Sequence, residues 1–306
     1  MSRSDFLYSS FLSHFQHQPT SCQEDLLRKV AGFVSDDDAD ILVVNMTDNF
    51  SNDETDHIVN IAKKAEVPLV FFGRPIDKSI LDKYTGSVYI GGEYQSAQGV
   101  QGEMIGKYLL NNYELFDVND DGKISYVIYA DKNYISENGY QHNVEKINRI
   151  LSVEGKPAIE YYAPDDNVKY YTDNNTLEVY NSMKDILLDY NENNNNMVEL
   201  VIAERDEWAL CALEALNSYG YNEVRGTKII PLFGIGGTIA AQNAINGGMM
   251  AGTVSPDSDY MAKQIEKVCR NILKKKDKLE GVDEEIVDGK NRITIPFIAY
   301  YARNSM

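Results

Sequence analysis

Short apolar, β-branched runs alternate with stretches of helical period along most of the chain. Residues 40–45 (DILVVN), 67–72 (VPLVFF) and 87–90 (SVYI) predict strands. Between the first two, residues 57–65 place Ile58, Ile61, Ala62 and Ala65 at helical spacing. Gly73-Arg74-Pro75 marks a turn after the second run, and residues 95–110 predict a helix after the third. The alternation then repeats. Strands are predicted over 124–129, 158–162, 198–203 and 229–234, and helices over 138–151, 176–189, 207–219 and 238–246. Strand runs that are apolar on both faces, separated by helices, imply parallel sheets covered on each side. Two such series imply an α/β protein of two doubly wound parallel-sheet lobes. In such sheets, ligands sit beyond the carboxyl ends of the strands. Binding residues are therefore expected in the loops after Phe72, Tyr129, Ala203 and Gly234. The polar stretch 191–196 (NENNNN) reads as a mobile surface loop.

Composition narrows the function. A length of 306 residues suits two domains, and 43% hydrophobic with 25% charged residues is ordinary for a folded chain. The net charge of −18 repels phosphate backbones, so no nucleic-acid partner is expected. The one dense basic run, Lys274, Lys275, Lys276 and Lys278, reads as a solvated helix end. Cys22, Cys211 and Cys269 are too few and too scattered for a disulfide framework, and Cys211 reads as a buried small apolar residue. No segment has the length of an apolar membrane span, and the first fifteen residues do not have the pattern of a signal peptide. His14, His17, His57 and His142 pair with no evident nucleophile, and the Gly234–Gly237 stretch lacks the Lys-Ser/Thr of a phosphate loop. An enzyme is not expected.

One motif carries specific chemistry. Residues 117–125 (DVNDDGKIS) match the first nine positions of an EF-hand calcium loop. Asp117, Asn119 and Asp121 stand at ligand positions 1, 3 and 5, Gly122 at the turn, Lys123 at the carbonyl position and Ser125 at position 9. Position 12 is Ile128, which cannot ligate, and a strand follows where an EF-hand has a helix. Asp, Asn and Gly also favour turns with no metal at all.

This loop opening a strand of a two-lobed α/β chain resembles the bacterial galactose/glucose-binding proteins of transport and chemotaxis. Several motifs occur in the family's order: 67–72, Tyr89-Ile90-Gly91-Gly92, Gln101-Gly102-Glu103-Met104-Ile105, 229–235, Gly248 to Val254, and Pro296-Phe297. The resemblance implies that the missing calcium carboxylate comes from Glu199, just before a later strand. It implies lobes of residues 1–92 with 256–291, and 93–255 with 292–306. It also implies a hexose gripped by polar side chains in a cleft between lobes that close by a hinge, with no bond broken.

The sequence departs from the family at the sugar positions. Gly73 stands for an asparagine; Ile135, Glu137 and Gln141 stand for histidine, aspartate and arginine; Glu204 and Arg205 for two asparagines; Gly236 for an aspartate; Pro256 for an asparagine. Asp206 is kept, and Tyr170 or Tyr171 stands near the family's stacking tryptophan. Candidate ligand contacts are therefore Arg74, Glu137, Gln141, Tyr171, Arg205, Asp206 and Gly236, either a re-tooled cleft or a degenerate one. Trp208 reads as a packing residue.

Residues 17–25 resemble the loop after the family's second strand, so the first strand is expected from a partner, from residues 6–15 or, the favoured reading, from an upstream start that also supplies an export signal. With it the protein would be extracytoplasmic, periplasmic or lipid-anchored. The expected partners are a small sugar and a membrane transporter; a chemoreceptor or sensor kinase is the alternative. A monomer is expected.

Overall fold

The computed structural model describes residues 39–302 apart from 47–50, 133–138, 164–167, 173–174, 195 and 225. Strands β1 (Leu42–Met46), β2 (Leu69–Gly73) and β3 (Ser87–Gly91) alternate with helices α1 (Asn52–Lys64) and α2 (Lys78–Leu81). Helix α1 begins five residues before the predicted start, because Ser51 and Glu54 form a capping box. The Glu54 N–H donates to Ser51 Oγ at 3.2 Å, and the Ser51 N–H donates to Glu54 Oε2 at 2.8 Å. The four-residue α2 was not predicted; it is too short to show a period.

The chain continues through α3 (Tyr94–Phe116), β4 (Ser125–Asp131), α4 (Gly139–Val153), β5 (Glu160–Tyr161), β6 (Tyr170–Tyr171), α5 (Thr176–Asp189), β7 (Leu200–Ala203), α6 (Asp206–Ser218), β8 (Leu232–Ile235), α7 (Ile239–Asn246), β9 (Gly252–Pro256) and α8 (Ser258–Leu273). Three late strands follow: β10 (Val287–Asp288), β11 (Arg292–Thr294) and β12 (Phe297–Tyr301). The predicted strand over 158–162 is only two residues long, and β6 was missed. Within the 191–196 stretch, Glu192–Asn194 form a 3-10 turn rather than a loose loop, tied down by Asn191 Nδ2 donating to the Leu187 carbonyl at 2.9 Å.

Two compact units result. The smaller takes the chain up to Tyr89, with Glu266–Val282 and Gly289–Arg292; the larger takes Ile90–Ile265, Asp283–Asp288 and the chain from Ile293. One sheet has the order β1-β2-β3-β11-β10; its core comprises Leu42, Val44, Ile58, Val59, Leu69, Phe71 and Tyr89.

The other sheet has the order β12-β9-β8-β7-β4-β5, with β6 beside β4. Strands β4, β7, β8 and β9 are parallel, and β12 closes antiparallel on β9. Successive residues serve opposite faces, as the period of two demands. Val127, Tyr129, Val201 and Ala203 enter one core, while Tyr126, Ile128, Leu200 and Ile202 enter the other. Both faces are covered by helices, which is why these runs read as unbroken apolar sequence.

Helices α3 and α4 cross closely at Gly102 and Gly106. A Cβ on Gly102 would lie 2.7 Å from the Asn143 carbonyl oxygen, and one on Gly106 would lie 2.9 Å from Ile150 Cδ1. The crossing buries Asn143 and Gln101. Asn143 Nδ2 donates to Gln101 Oε1, and Gln101 Nε2 donates to the carbonyls of Ala203 (3.0 Å) and Gly234 (2.9 Å). A helix side chain thereby fixes the carboxyl ends of β7 and β8.

Candidate functional site

In the larger sheet the chain runs from β4 outward to β5 on one side and on to β7 on the other, so the topological switch lies between β4 and β7. Asp131 ends β4, and Glu204, Arg205 and Asp206 follow β7. Asp131, Glu204 and Arg205 meet at that point, while Asp206 turns toward β8 and β9.

Arg205 Nε donates to Asp131 Oδ2 at 2.8 Å; the aspartate side chain is fully buried and the arginine 17% exposed. The guanidinium also lies over the Trp208 ring, 5.4 Å from its centroid. Glu204 is buried, with Gln98 Nε2 donating to Oε1 at 2.5 Å and the Asp131 N–H donating to Oε2 at 2.5 Å. Burial pushes its carboxyl up to about 7, against the pull of those two donors.

Asp206 is also buried, and burial raises its carboxyl. Its oxygens are spent inside the protein: Thr253 Oγ1 donates to Oδ1 at 2.6 Å, and the Thr238 N–H to Oδ2 at 2.7 Å. It pins the β8–α7 loop to β9. Gly236 belongs to that arrangement: it takes φ +145°, and a Cβ there would lie 3.0 Å from Asp206 Oδ2.

The other predicted ligand contacts fall elsewhere. Tyr171 is in the core. Its hydroxyl is 3.3 Å from Ser182 Oγ, and its ring packs on Tyr129 (5.5 Å) and Trp208 (6.0 Å). It offers no open stacking face, whereas Tyr170 is half-buried beside Tyr140. Trp208 is fully buried, as its packing role implies, and its Nε1–H has no partner among the described residues. Gln141 is exposed on the first turn of α4. Arg74 follows β2 in the smaller unit, its N–H donating to the Met46 carbonyl at 3.0 Å. Glu137 lies outside the described residues. Sequence reading did not select Asp131 or Glu204. Their signal was an acidic residue placed directly after an apolar strand run, VIYAD and VIAE.

The predicted calcium loop lies at the opposite, amino end of β4. Asp120 (φ +57°) and Gly122 (φ +83°) make its sharp turn. Asp117 accepts from the N–H groups of Asp121 (3.1 Å) and Gly122 (2.9 Å), and Asp121 accepts from the Lys123 N–H (2.9 Å). The Lys123 ammonium is drawn away to Glu160 at 2.8 Å. Ile128 is buried in β4. Glu199, buried just before β7, reaches the loop: it accepts from the N–H groups of Val118 (2.7 Å), Asn119 (3.4 Å) and Ser125 (3.0 Å). Burial pushes its carboxyl up to about 7.

The donor set of hard oxygens fits a calcium ion in type and in sequence position. The arrangement seen is that of Asx turns, and no three His, Cys, Asp or Glu side chains among the described residues converge as a metal cluster.

Half-buried Cys211 packs against the core instead of being sealed in it, and burial raises the Cys269 thiol to about 11.

Two α/β units, with charged residues gathered at the switch point of one sheet, are a setting suited to binding a small ligand. The chain belongs to the periplasmic binding protein domain family, whose profile matches residues 30–277; its members bind solutes and are not enzymes. It is 25% identical over 241 residues to the D-galactose/methyl-galactoside binding periplasmic protein MglB of Haemophilus influenzae. That match spans 79% of this chain and 66%, just under two thirds, of the relative. Among solved structures it is similar to an ABC transporter solute binding protein of Bacillus halodurans with bound myo-inositol. There the TM-score is 0.56 and the identity 22%, over 92% of this chain and 81% of that one. It is also similar to a periplasmic solute binding protein of Actinobacillus succinogenes with bound D-allose. There the TM-score is 0.58 and the identity 17%, over 92% and 84% of the two chains. These likenesses support the two-lobed α/β fold.

Proposed function

We propose that the protein is an extracytoplasmic carbohydrate-binding component of an ABC-type uptake system, holding a sugar or polyol at the carboxyl ends of β4 and β7. The reading rests on the buried Asp131–Arg205 pair beside Glu204. Fixed charge-assisted donors and acceptors are what hydroxyl recognition needs. Arg205 is the main gripping group. Asp206 and Gly236 shape the loop behind it. Tyr171 supports Trp208 from beneath.

The same reading gives the amino end of β4 a structural calcium ion. It would be held by Asp117, Asn119, Asp121, the Lys123 carbonyl, Ser125 and Glu199, and it would tie the loop to β7. The membrane partner is a transporter. A chemoreceptor or sensor kinase is the second reading, favoured by the internal engagement of Asp206, the one family sugar ligand kept here.

Titration calorimetry of the intact protein against hexoses, pentoses and inositols tests the first reading. Binding lost in Arg205→Ala supports it. No heat across the panel, together with capture of a sensor protein, moves the assignment to the second.

A further inference from the structure

Lys274, Lys275 and Lys276 are exposed just past the end of helix α8, as a solvated helix end implies, but Lys278 departs from that reading. Helix α8 stops at Leu273, Lys275 takes φ +55°, and the chain folds back. Lys278 is half-buried, its ammonium donating to the carbonyls of Thr85 (2.6 Å) and Ser87 (2.9 Å). It lines a cavity of about 720 Å³ in the smaller unit, together with Lys78, Lys290, Asp82, Asp277 and Asn291.

The cavity lies at the end of the sheet where β3 begins, away from the strand ends that carry Arg74. Three ammonium groups on one cavity are unexpected in a chain of net charge −18. Among the described residues, Lys78 and Lys290 form no ion pair. The Lys78 Nζ comes in over Gly289, 3.2 Å from where a Cβ would stand.

The acceptors are equally specific. Asn291 is 5% exposed; its Nδ2 donates to Asp82 Oδ1 at 3.1 Å, yet its own Oδ1 has no partner among the described residues. Asp277 Oδ1 accepts from the Leu279 N–H at 2.8 Å. An orphaned buried acceptor costs free energy unless a donor reaches it. A bare anion would satisfy the lysines but bring no donor to Asn291 Oδ1. A neutral sugar would satisfy the acceptors and leave the cations unmatched.

We propose that this cavity binds a hydroxyl-bearing phosphate ester, its phosphate on Lys78, Lys278 and Lys290 and a hydroxyl on Asn291 Oδ1. Burial holds the Lys278 ammonium below its usual range, and a phosphate beside it would reverse that. The volume lies within the usual span of small-molecule sites, roughly 300–1,000 Å³.

The test is thermal shift and calorimetry of the full chain with glycerol 3-phosphate, inorganic phosphate and glycerol at constant ionic strength. Glycerol 3-phosphate should bind best, inorganic phosphate more weakly and glycerol not at all. Lys78→Gln with Lys290→Gln should weaken the ester about tenfold or more. Both lysines are exposed, so that variant should fold normally. Arg205→Ala, which alters the other site, should leave the response intact. Sedimentation with phosphatidylglycerol vesicles, against phosphatidylcholine, decides whether the ester is free or a lipid headgroup. Equal responses to phosphate and ester, or a response unchanged in the double variant, would overturn the proposal, as would no response to either the ester or the vesicles.

Discussion

Two buried glutamates stand at the two ends of one four-residue strand, Glu199 before β7 and Glu204 after it. Burial pushes both carboxyls up to about 7. What separates them is who supplies the donors. Glu199 accepts only backbone N–H groups, all from a single loop whose sequence announces itself. Glu204 accepts from the side chain of Gln98 on α3 and from Asp131, which in turn holds Arg205. One end is built by local turn chemistry and the other by three elements distant in sequence. Equal burial therefore serves two purposes: fastening a loop, and stiffening a charged grip.

The comparison can be broken most severely at the grip. Arg205→Ala removes the guanidinium paired with buried Asp131. The expected loss is about 3–5 kcal/mol, measured by urea denaturation. A loss below about 1 kcal/mol would mean that Asp131 finds other partners.

Next comes pH. The Glu204 carboxyl titrates near 7 in the folded protein and near 4.5 when unfolded, so the folded state holds an extra proton between those values. Its contribution to stability is therefore full below about 4.5, declines as pH rises and is gone above about 7, a change of about 3 kcal/mol. Glu204→Gln should flatten that part of the stability profile, and an unchanged profile would remove Glu204 as its source.

Calcium sharpens the other end. Saturation at a hundredfold excess over Kd should add about 2.7 kcal/mol, seen as a rise in Tm. Glu199→Gln and Asp121→Ala should each abolish the rise; a rise that survives both would place the ion elsewhere. The smallest effect should come from Gly102→Ala. Pressing on the Asn143 carbonyl should cost about 1–3 kcal/mol and disturb Gln101 beneath Glu204, leaving the calcium response intact.

The same contrast explains what could be read from the chain. Strand runs, helix periods and the 117–125 loop are written in contiguous residues, and those elements were anticipated. At the ends of β4 and β7 the loops and Arg205 were anticipated but its partners Asp131 and Glu204 were not, because no sequence pattern shows which side chains some seventy residues apart pair there. Tyr171 was misjudged for a related reason. Adjacent residues in a strand face opposite ways, and an aromatic pair does not reveal which ring is buried. Lys278 was misjudged because helix-end chemistry accounts for a lysine run without the fold-back at Lys275.

The order of strands has a bearing on biosynthesis. Strand β12 closes the larger sheet against β9, while β10 and β11, made just before it, complete the other sheet. A nascent chain halted before Phe297 would carry β9 with an open side, a template for pairing with other copies. Emergence of residues 287–301 from the ribosome, more than any earlier event, is what guards both sheets against aggregation.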